Sequence, residues 1–278
     1  MLLSNHCENP LVTVNLVAHD GDIQYLPRAV KSILAQNLPR KQIQVLVAYD
    51  GMPGAKALKI LGAQLDDHPF HSVFVLESPK TGYYCVPRNR ALSMPMNFGL
   101  YQANLDVDNE WKMGHLSGLL EAIRTPDPED GWPHFVYSRR EYVVDEGTEP
   151  GKLPTGPSTF VPWTQDSAQH LCMSPQNNFV DTSDFLISKS GLFRLGEVSG
   201  CAWNSEQRRF GDWELMTRLA KHGFRGRAVD QTTHIYHWTG KNVQLTRPVE
   251  EVKMLPAEVY ERMREQGLII APGPKDVQ

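Results

Sequence analysis

A mostly parallel α/β sheet with helices on both faces is what residues 11–76 predict, on two observations. The runs at residues 11–18 and 43–49 are β-branched and apolar on both faces, as strands covered from two sides must be. Between and after them apolar residues return at helical spacing, and strand–helix–strand alternation brings right-handed crossovers and parallel neighbours.

Taken in order, the first run ends in the polar turn His19-Asp20-Gly21-Asp22. Leu26, Val30, Ile33 and Leu34 then mark a helix, with Pro27 tolerated near its start. Residues 43–49 stop at Asp50-Gly51-Met52-Pro53-Gly54; Leu58, Leu61 and Leu65 mark the next helix, and a short strand follows at residues 73–76. Residues 98–105 form another apolar extended run, which delivers Asp106 and Asp108 where a buried strand meets solvent.

A parallel sheet collects its ligands at the carboxyl ends of its strands. Three acidic turns, at Asp20/Asp22, Asp50 and Asp106/Asp108, fall at that rim. Acidic turns follow many strands, but three converging on one rim point to a ligand site. Neither a Gly-x-Gly-x-x-Gly turn nor a Gly-x-x-x-x-Gly-Lys-Ser/Thr loop is present, so phosphates would be held by metal and side chains. Hard carboxylate oxygens suit Mg²⁺ or Mn²⁺.

The chain has 278 residues with 41% hydrophobic content, enough for a full core. With 28 basic against 32 acidic residues, no global basic field advertises nucleic acid or an anionic membrane. Cys7, Cys85, Cys172 and Cys201 are far apart and lack metal-ligand spacing, which fits a reducing compartment. No run approaches membrane-spanning length, so the expectation is a soluble, cytoplasmic protein without a membrane span.

The same segments resemble, in order, those of family 2 glycosyltransferases, nucleotide-sugar-dependent inverting enzymes with a GT-A fold, over roughly residues 11–240. Residues 14–20, with the helix at 29–36, resemble the family's opening strand, turn and helix, which implies donor contacts from His19 and Asp20. Tyr49-Asp50-Gly51 sits where the family has its Asp-Asp-Gly turn, so Asp50 would read the uracil ring. Pro87-Arg88-Asn89-Arg90-Ala91-Leu92 resembles the segment before the metal motif and places Arg88 near the nucleotide. Leu105-Asp106-Val107-Asp108 matches the Asp-x-Asp motif, implying Asp108 on the metal and Asp106 near the ribose and metal-bound water.

Downstream, Gly211-Asp212-Trp213-Glu214-Leu215 reads on its own as a capped helix start, with Asp212 as N-cap. The resemblance makes this the general-base segment, the base being Asp212 or Glu214, with Gly211 standing where the family has Glu. After a strand at residues 227–230, His237 aligns with a further metal ligand of the family and His234 is its reserve. The cofactor implied is Mn²⁺ or Mg²⁺, and the donor a nucleotide sugar, UDP-linked by the match at Asp50. The acceptor is open: a saccharide, a protein, a lipid-linked glycan or a modified nucleic-acid base.

Between Tyr142 and Asn178 the periodicity collapses, and a structureless insert holding Phe160, Trp163 and His170 is expected, either a loop on the acceptor side or a plain surface excursion. Asp181 and Asp184 follow in a segment that resembles the acceptor lining. The implied organisation is one GT-A domain over residues 1–245, its nucleotide-sugar half at about 10–110 and its acceptor half at about 111–245. Val252, Leu255, Val259, Tyr260 and Met263 mark a helix within a tail at 246–278, suited to packing on the domain or to a homodimer contact. Two rivals come from other classes. A nucleotidyltransferase should carry a Gly-rich basic loop where His19-Asp20-Gly21-Asp22 is acidic. A non-catalytic nucleotide-sugar-binding relative should have lost the metal or base carboxylates, which are present here.

Overall fold

The computed structural model describes residues 10–51, 54–65, 70–78, 80–81, 84–129, 131–148, 155–204 and 210–239; the helix expected within 246–278 lies outside them. Strand β1 (Val12–Ala18) leads through a short 3-10 turn at Ile23–Tyr25 into helix α1 (Leu26–Leu34). Then follow β2 (Ile43–Asp50), α2 (Gly54–Leu65), β3 (Ser72–Ser78), α3 (Cys85–Ser93), β4 (Tyr101–Asp106), β5 (Glu110–Trp111) and α4 (His115–Ile123). The remainder is β6 (Phe135–Val144), β7 (Gly156–Pro157), α5 (Gln165–Met173), β8 (Phe185–Ser188), α6 (Lys189–Ser199), α7 (Gly211–Lys221) and β9 (Gly226–Trp238).

The strands form one sheet in the order β3-β2-β1-β4-β8-β6-β9-β5, with β7 on β6. β1 pairs in parallel with β2 and β4, and β2 with β3, as the crossover pattern predicts. β8 runs antiparallel between β4 and β6, so β6 and its parallel neighbour β9 point the same way as β1, β2 and β4. All five therefore end at the same rim.

The sheet has to curl. Only residues 107–109 join β4 to β5, a reach of at most about 14 Å from Asp106 to Glu110. In sheet order four strand spacings separate the two, roughly 19 Å if flat. Curling brings β9 and β5 back over the end of β4, which closes the second half of the molecule around the rim.

Alternation along the strands divides the core by face. Val136 and Leu186 pack with α1, α2 and α4, while their neighbours Phe135, Tyr137, Phe185 and Ile187 pack with α5, α6 and α7. Below the rim, a buried polar chain links the strands. Thr13 donates to Gln44 (2.8 Å), and Gln102 donates to Asn97 (2.9 Å), whose own amide reaches Ala91 O in α3 (3.1 Å).

Two expectations are corrected. The stretch expected to be a structureless loop contains α5, whose N-cap Thr164 exchanges bonds with Ser167 in a capping box. Trp213 Nε1 donates to Leu171 O (2.7 Å), tying α5 to α7. The strand expected to stop at Asp230 runs on to Trp238, with register shifts against β6 between Tyr137 and Arg140, so both His234 and His237 lie within it. Among the described residues no helix is long and apolar enough to cross a membrane.

Candidate active site

The rim gathers the acidic turns read from the sequence, and most of their side chains are held by neighbours. At the end of β1, His19 N–H donates to Asp22 Oδ1 (2.7 Å), and the His19 ring returns to the other Asp22 oxygen (3.2 Å). Burial pushes the Asp22 carboxyl up to about 7; Asp106 adds to the rise and the His19 amide opposes it. Tyr49 Oη donates to Asp20 Oδ1 (2.8 Å), fixing the turn to β2. Asp50, buried at the end of β2, accepts from both the amide and the hydroxyl of Thr81 (2.7 and 2.9 Å).

Asp106 is the last residue of β4. Its carboxylate meets Arg88 Nη2 at 2.5 Å, and the buried Arg88 guanidinium lies over the Trp203 ring, 5.0 Å from its centre. Val107 and Asn109 point inward on either side of Asp108. Asn109 N–H closes the turn on Asp106 O (2.9 Å), and its side-chain oxygen accepts from His237 N–H (3.1 Å). Burial, with Asp106, Asp22 and Asp181 close by, raises the Asp108 carboxyl well above the usual range. Mutual repulsion of this kind is what a bound divalent cation relieves.

The opposite wall comes from the turn before β8. Asp181 caps a 3-10 turn at Thr182–Asp184, whose Ser183 hydroxyl accepts from Asp106 N–H (3.1 Å) and whose carbonyl accepts from Trp111 Nε1 (2.8 Å). Fully buried Asp184 joins Arg140 Nη2 (2.8 Å) and His234 Nδ1 (2.6 Å), so His234 is bound into the wall. The sequence offered Asp184 as an acceptor contact; the structure gives it Arg140 and His234 as partners beneath the surface.

Asp212 lies in the first turn of α7, beside Asp181, Arg140 and Arg88. It is not the N-cap, as the sequence suggested. That place belongs to Phe210, in the left-handed region at φ 53°, and the helix starts at Gly211. A Cβ on Gly211 would stand 2.7 Å from Cys85 Sγ, so the start of α7 abuts α3 where the resembled pattern carries Glu. Asn178 Nδ2 donates to Asp212 Oδ2 (2.8 Å). Burial first, then Asp181, lifts the Asp212 carboxyl to about 7, against the Trp213 amide, Arg140 and Arg88.

Glu214, the alternative base, is buried one turn deeper. Both its oxygens engage Arg218 (2.6 and 2.8 Å), which also donates to the carbonyls of Cys201 (2.6 Å) and Ala202 (2.8 Å). This is a structural clasp between α7 and the segment after α6. Glu214→Gln, which keeps an acceptor but loses the charge, is expected to cost about 1–3 kcal/mol of stability while leaving kcat within about threefold of wild type. Urea melts and steady-state rates on the same preparation check both halves.

His237 lies beside the turn after β4 with both ring nitrogens engaged: Nδ1 at 2.5 Å from Asp145 and Nε2 at 3.0 Å from Glu110. Arg28 bonds Asp145 (3.0 Å) and donates to the backbone carbonyl of Asp108. A metal bound by His237 would have to displace one of these carboxylates. Among the described residues no three His, Cys, Asp or Glu side chains form a ready-made metal cage. The oxygens of Asp108 and Asp106 still fit a hard cation that takes its other ligands from water and phosphate. Arg28, Asp145, Glu110, Arg140 and Asn178 escaped sequence reasoning, because each is a lone polar residue far in sequence from its partner.

The architecture has solved counterparts. S. aureus TarS residues 1–349 in complex with UDP-GlcNAc superposes with a TM-score of 0.63 at 13% identity, covering 93% of this chain and 66% of that one. The mannosyltransferase PcManGT from Pyrobaculum calidifontis, in complex with GDP-Man and Mn²⁺, gives 0.56 at 15% identity, covering 84% of this chain and 58% of that one. The fold is that of GT-A glycosyltransferases. The described GT-A chain spans less than two thirds of either counterpart. No protein-family model matches the sequence, and no curated protein does.

Proposed function

We propose that the chain is a family 2-like, metal-dependent, inverting glycosyltransferase that moves a sugar from a nucleoside diphosphate sugar, UDP-linked, to an acceptor hydroxyl. The carrying observation is that Asp106 at the end of β4, Asp108 just beyond it and Asp212 at the start of α7 all neighbour Asp181. The counterparts crystallised with UDP-GlcNAc and with GDP-Man and Mn²⁺ support the donor class and the metal.

In this reading Asp108 and Asp106 hold Mn²⁺ or Mg²⁺, which supplies charge neutralisation for the diphosphate leaving group. Arg88 orients Asp106 through the 2.5 Å bond and adds positive charge at the same place. Asp50 with Thr81 receives the base, and His19 and Asp20 border it. Asp212 takes the proton from the acceptor hydroxyl as that oxygen attacks the anomeric carbon from the face opposite the diphosphate, inverting it. Asn178 and the Trp213 amide hold the Asp212 carboxylate in place. A carboxylate with a pKa near 7 is a stronger base than an ordinary one and is still about half ionised at pH 7.

Release of nucleoside diphosphate from a panel of UDP- and GDP-sugars, with Mn²⁺ and with EDTA, tests the reading. Metal-dependent release of UDP from one donor supports it; release from GDP-sugars alone overturns the UDP assignment. Absence of both release and nucleotide binding overturns the function.

The pH dependence is a separate expectation. Since Asp212 must be ionised to act and its pKa in the free protein stands at about 7, log kcat/KM should rise with unit slope up to about pH 7 and level off above it. A kcat/KM profile from pH 5.5 to 9 that stays flat down to pH 5.5 would remove Asp212 from the role.

A further inference from the structure

A cavity of about 800 Å³ lies apart from the site described above. It opens where β9 begins, around Gly226, whereas the carboxylate rim lies where β9 ends, up to roughly 40 Å along the strand. Its lining is apolar and aromatic: Ala168 and Cys172 from α5, Phe224 just before β9 and Ala228 within it, and Trp163 and Phe160 from the segment before α5. Gly226 shapes one wall, because a Cβ there would stand 2.8 Å from Trp163 Cγ, so the indole lies against bare backbone. Phe160 and Met173 remain 37% and 50% exposed at the lining.

The charges around this cavity are unequal. Arg227 and Asp127 face each other at 3.6 Å, and Arg227 also holds the carbonyls of Ala122 and Thr125. Arg194 lies over the Phe224 ring at 5.3 Å. Arg225 is exposed; its Nε donates to Trp132 O (3.2 Å), and among the described residues its terminal nitrogens have no hydrogen-bond partner. An apolar cavity of this size beside a guanidinium whose terminal nitrogens have no hydrogen-bond partner among the described residues matches a ligand with an apolar body and an anionic end.

We propose that this cavity is a second binding site, for an amphiphilic anion: an unbranched apolar chain carrying one phosphate or carboxylate. The chain lies against Trp163, Phe160 and Phe224, and the anionic end pairs with Arg225. The occupant is a monomeric molecule inside the cavity, and it binds independently of the carboxylate rim.

Three probes with the same tail separate the contributions: dodecyl phosphate, dodecyl maltoside and dodecyltrimethylammonium, each below its micelle concentration and titrated into the full chain by calorimetry. The expected result is saturable one-site binding of dodecyl phosphate, at least tenfold tighter than the other two and undisturbed by saturating UDP. Arg225→Gln, at an exposed position, should weaken dodecyl phosphate at least tenfold and leave dodecyl maltoside unchanged. Phe160→Ala, also exposed, should weaken all three. No saturable binding, equal affinity for the three heads, or an unchanged affinity in Arg225→Gln overturns the proposal. Sedimentation with phosphatidic acid vesicles without binding of monomeric dodecyl phosphate also overturns it, placing the anion on a membrane surface instead.

Discussion

Asp212→Asn is expected to lower glycosyl transfer by about 10²–10⁴-fold, equivalent to about 3–5 kcal/mol of transition-state stabilisation, while nucleotide binding stays within twofold. The amide keeps the shape and can still meet Asn178 after a flip, so the loss isolates proton transfer. The same change should make the protein more stable. The folded-state pKa of Asp212 is raised from the usual 3.8 to about 7, so the protonated form is the one that folding favours. Stability therefore falls as pH rises from about 4 to 7 and stays lower above, because the native state must then hold an ionised carboxylate it shields poorly. Asparagine removes that cost. Discounted for the partial exposure of the side chain, the gain at pH 8 should be about 1–2 kcal/mol, or about 2–8 °C in Tm, and should vanish near pH 4. Scanning calorimetry at the two pH values checks the stability half; an unchanged transfer rate would sink the base assignment.

Asp108→Ala should act at binding. With Asp108 gone, Asp106 remains committed to Arg88, and the metal keeps too few protein oxygens to bridge to a diphosphate. Mn²⁺-dependent UDP affinity is expected to fall at least a hundredfold, about 2.7 kcal/mol. Metal-free nucleotide binding should change less than threefold. The apo protein should become slightly more stable, since one of three crowded carboxylates has been removed. Calorimetric titration of UDP with Mn²⁺ and with EDTA separates these effects; equal loss under both conditions would mean that Asp108 shapes the pocket without binding metal.

The first half of the fold was legible because it obeys local rules. The apolar runs of β1, β2 and β4 reach the rim in the predicted order, and their polar ends converge as parallel topology requires. α5 was hidden, because its apolar residues are few and its cap is closed by Ser167 where a carboxamide or carboxylate is the usual signal. The length of β9 was hidden by exposed and half-buried residues in its middle, at Asp230 and Gln231, which read as a stop. Within the site, the carboxylates were visible as motifs. What holds them was not: Asn178 meets Asp212 from 34 residues away and Arg28 meets Asp145 from 117, and no local pattern announces such partners. Glu214 shows the converse. Its sequence neighbourhood suggested chemistry, whereas both its oxygens bond Arg218, which also holds the carbonyls of Cys201 and Ala202, partners no local pattern announced.

The return of β9 across the end of β4 also sets an order of events. Glu110 finds His237 only after another 127 residues have been made, on the order of 6–25 s at about 5–20 residues per second on a ribosome. During that interval β1 to β4 can already pair, while the Asp106–Asp108 turn stands without its covering strand. The Asp106–Asp108 turn is therefore synthesised well before it is enclosed. A nascent chain halted before His237 would carry the turn without the bonds that His237 makes to Asn109 and Glu110.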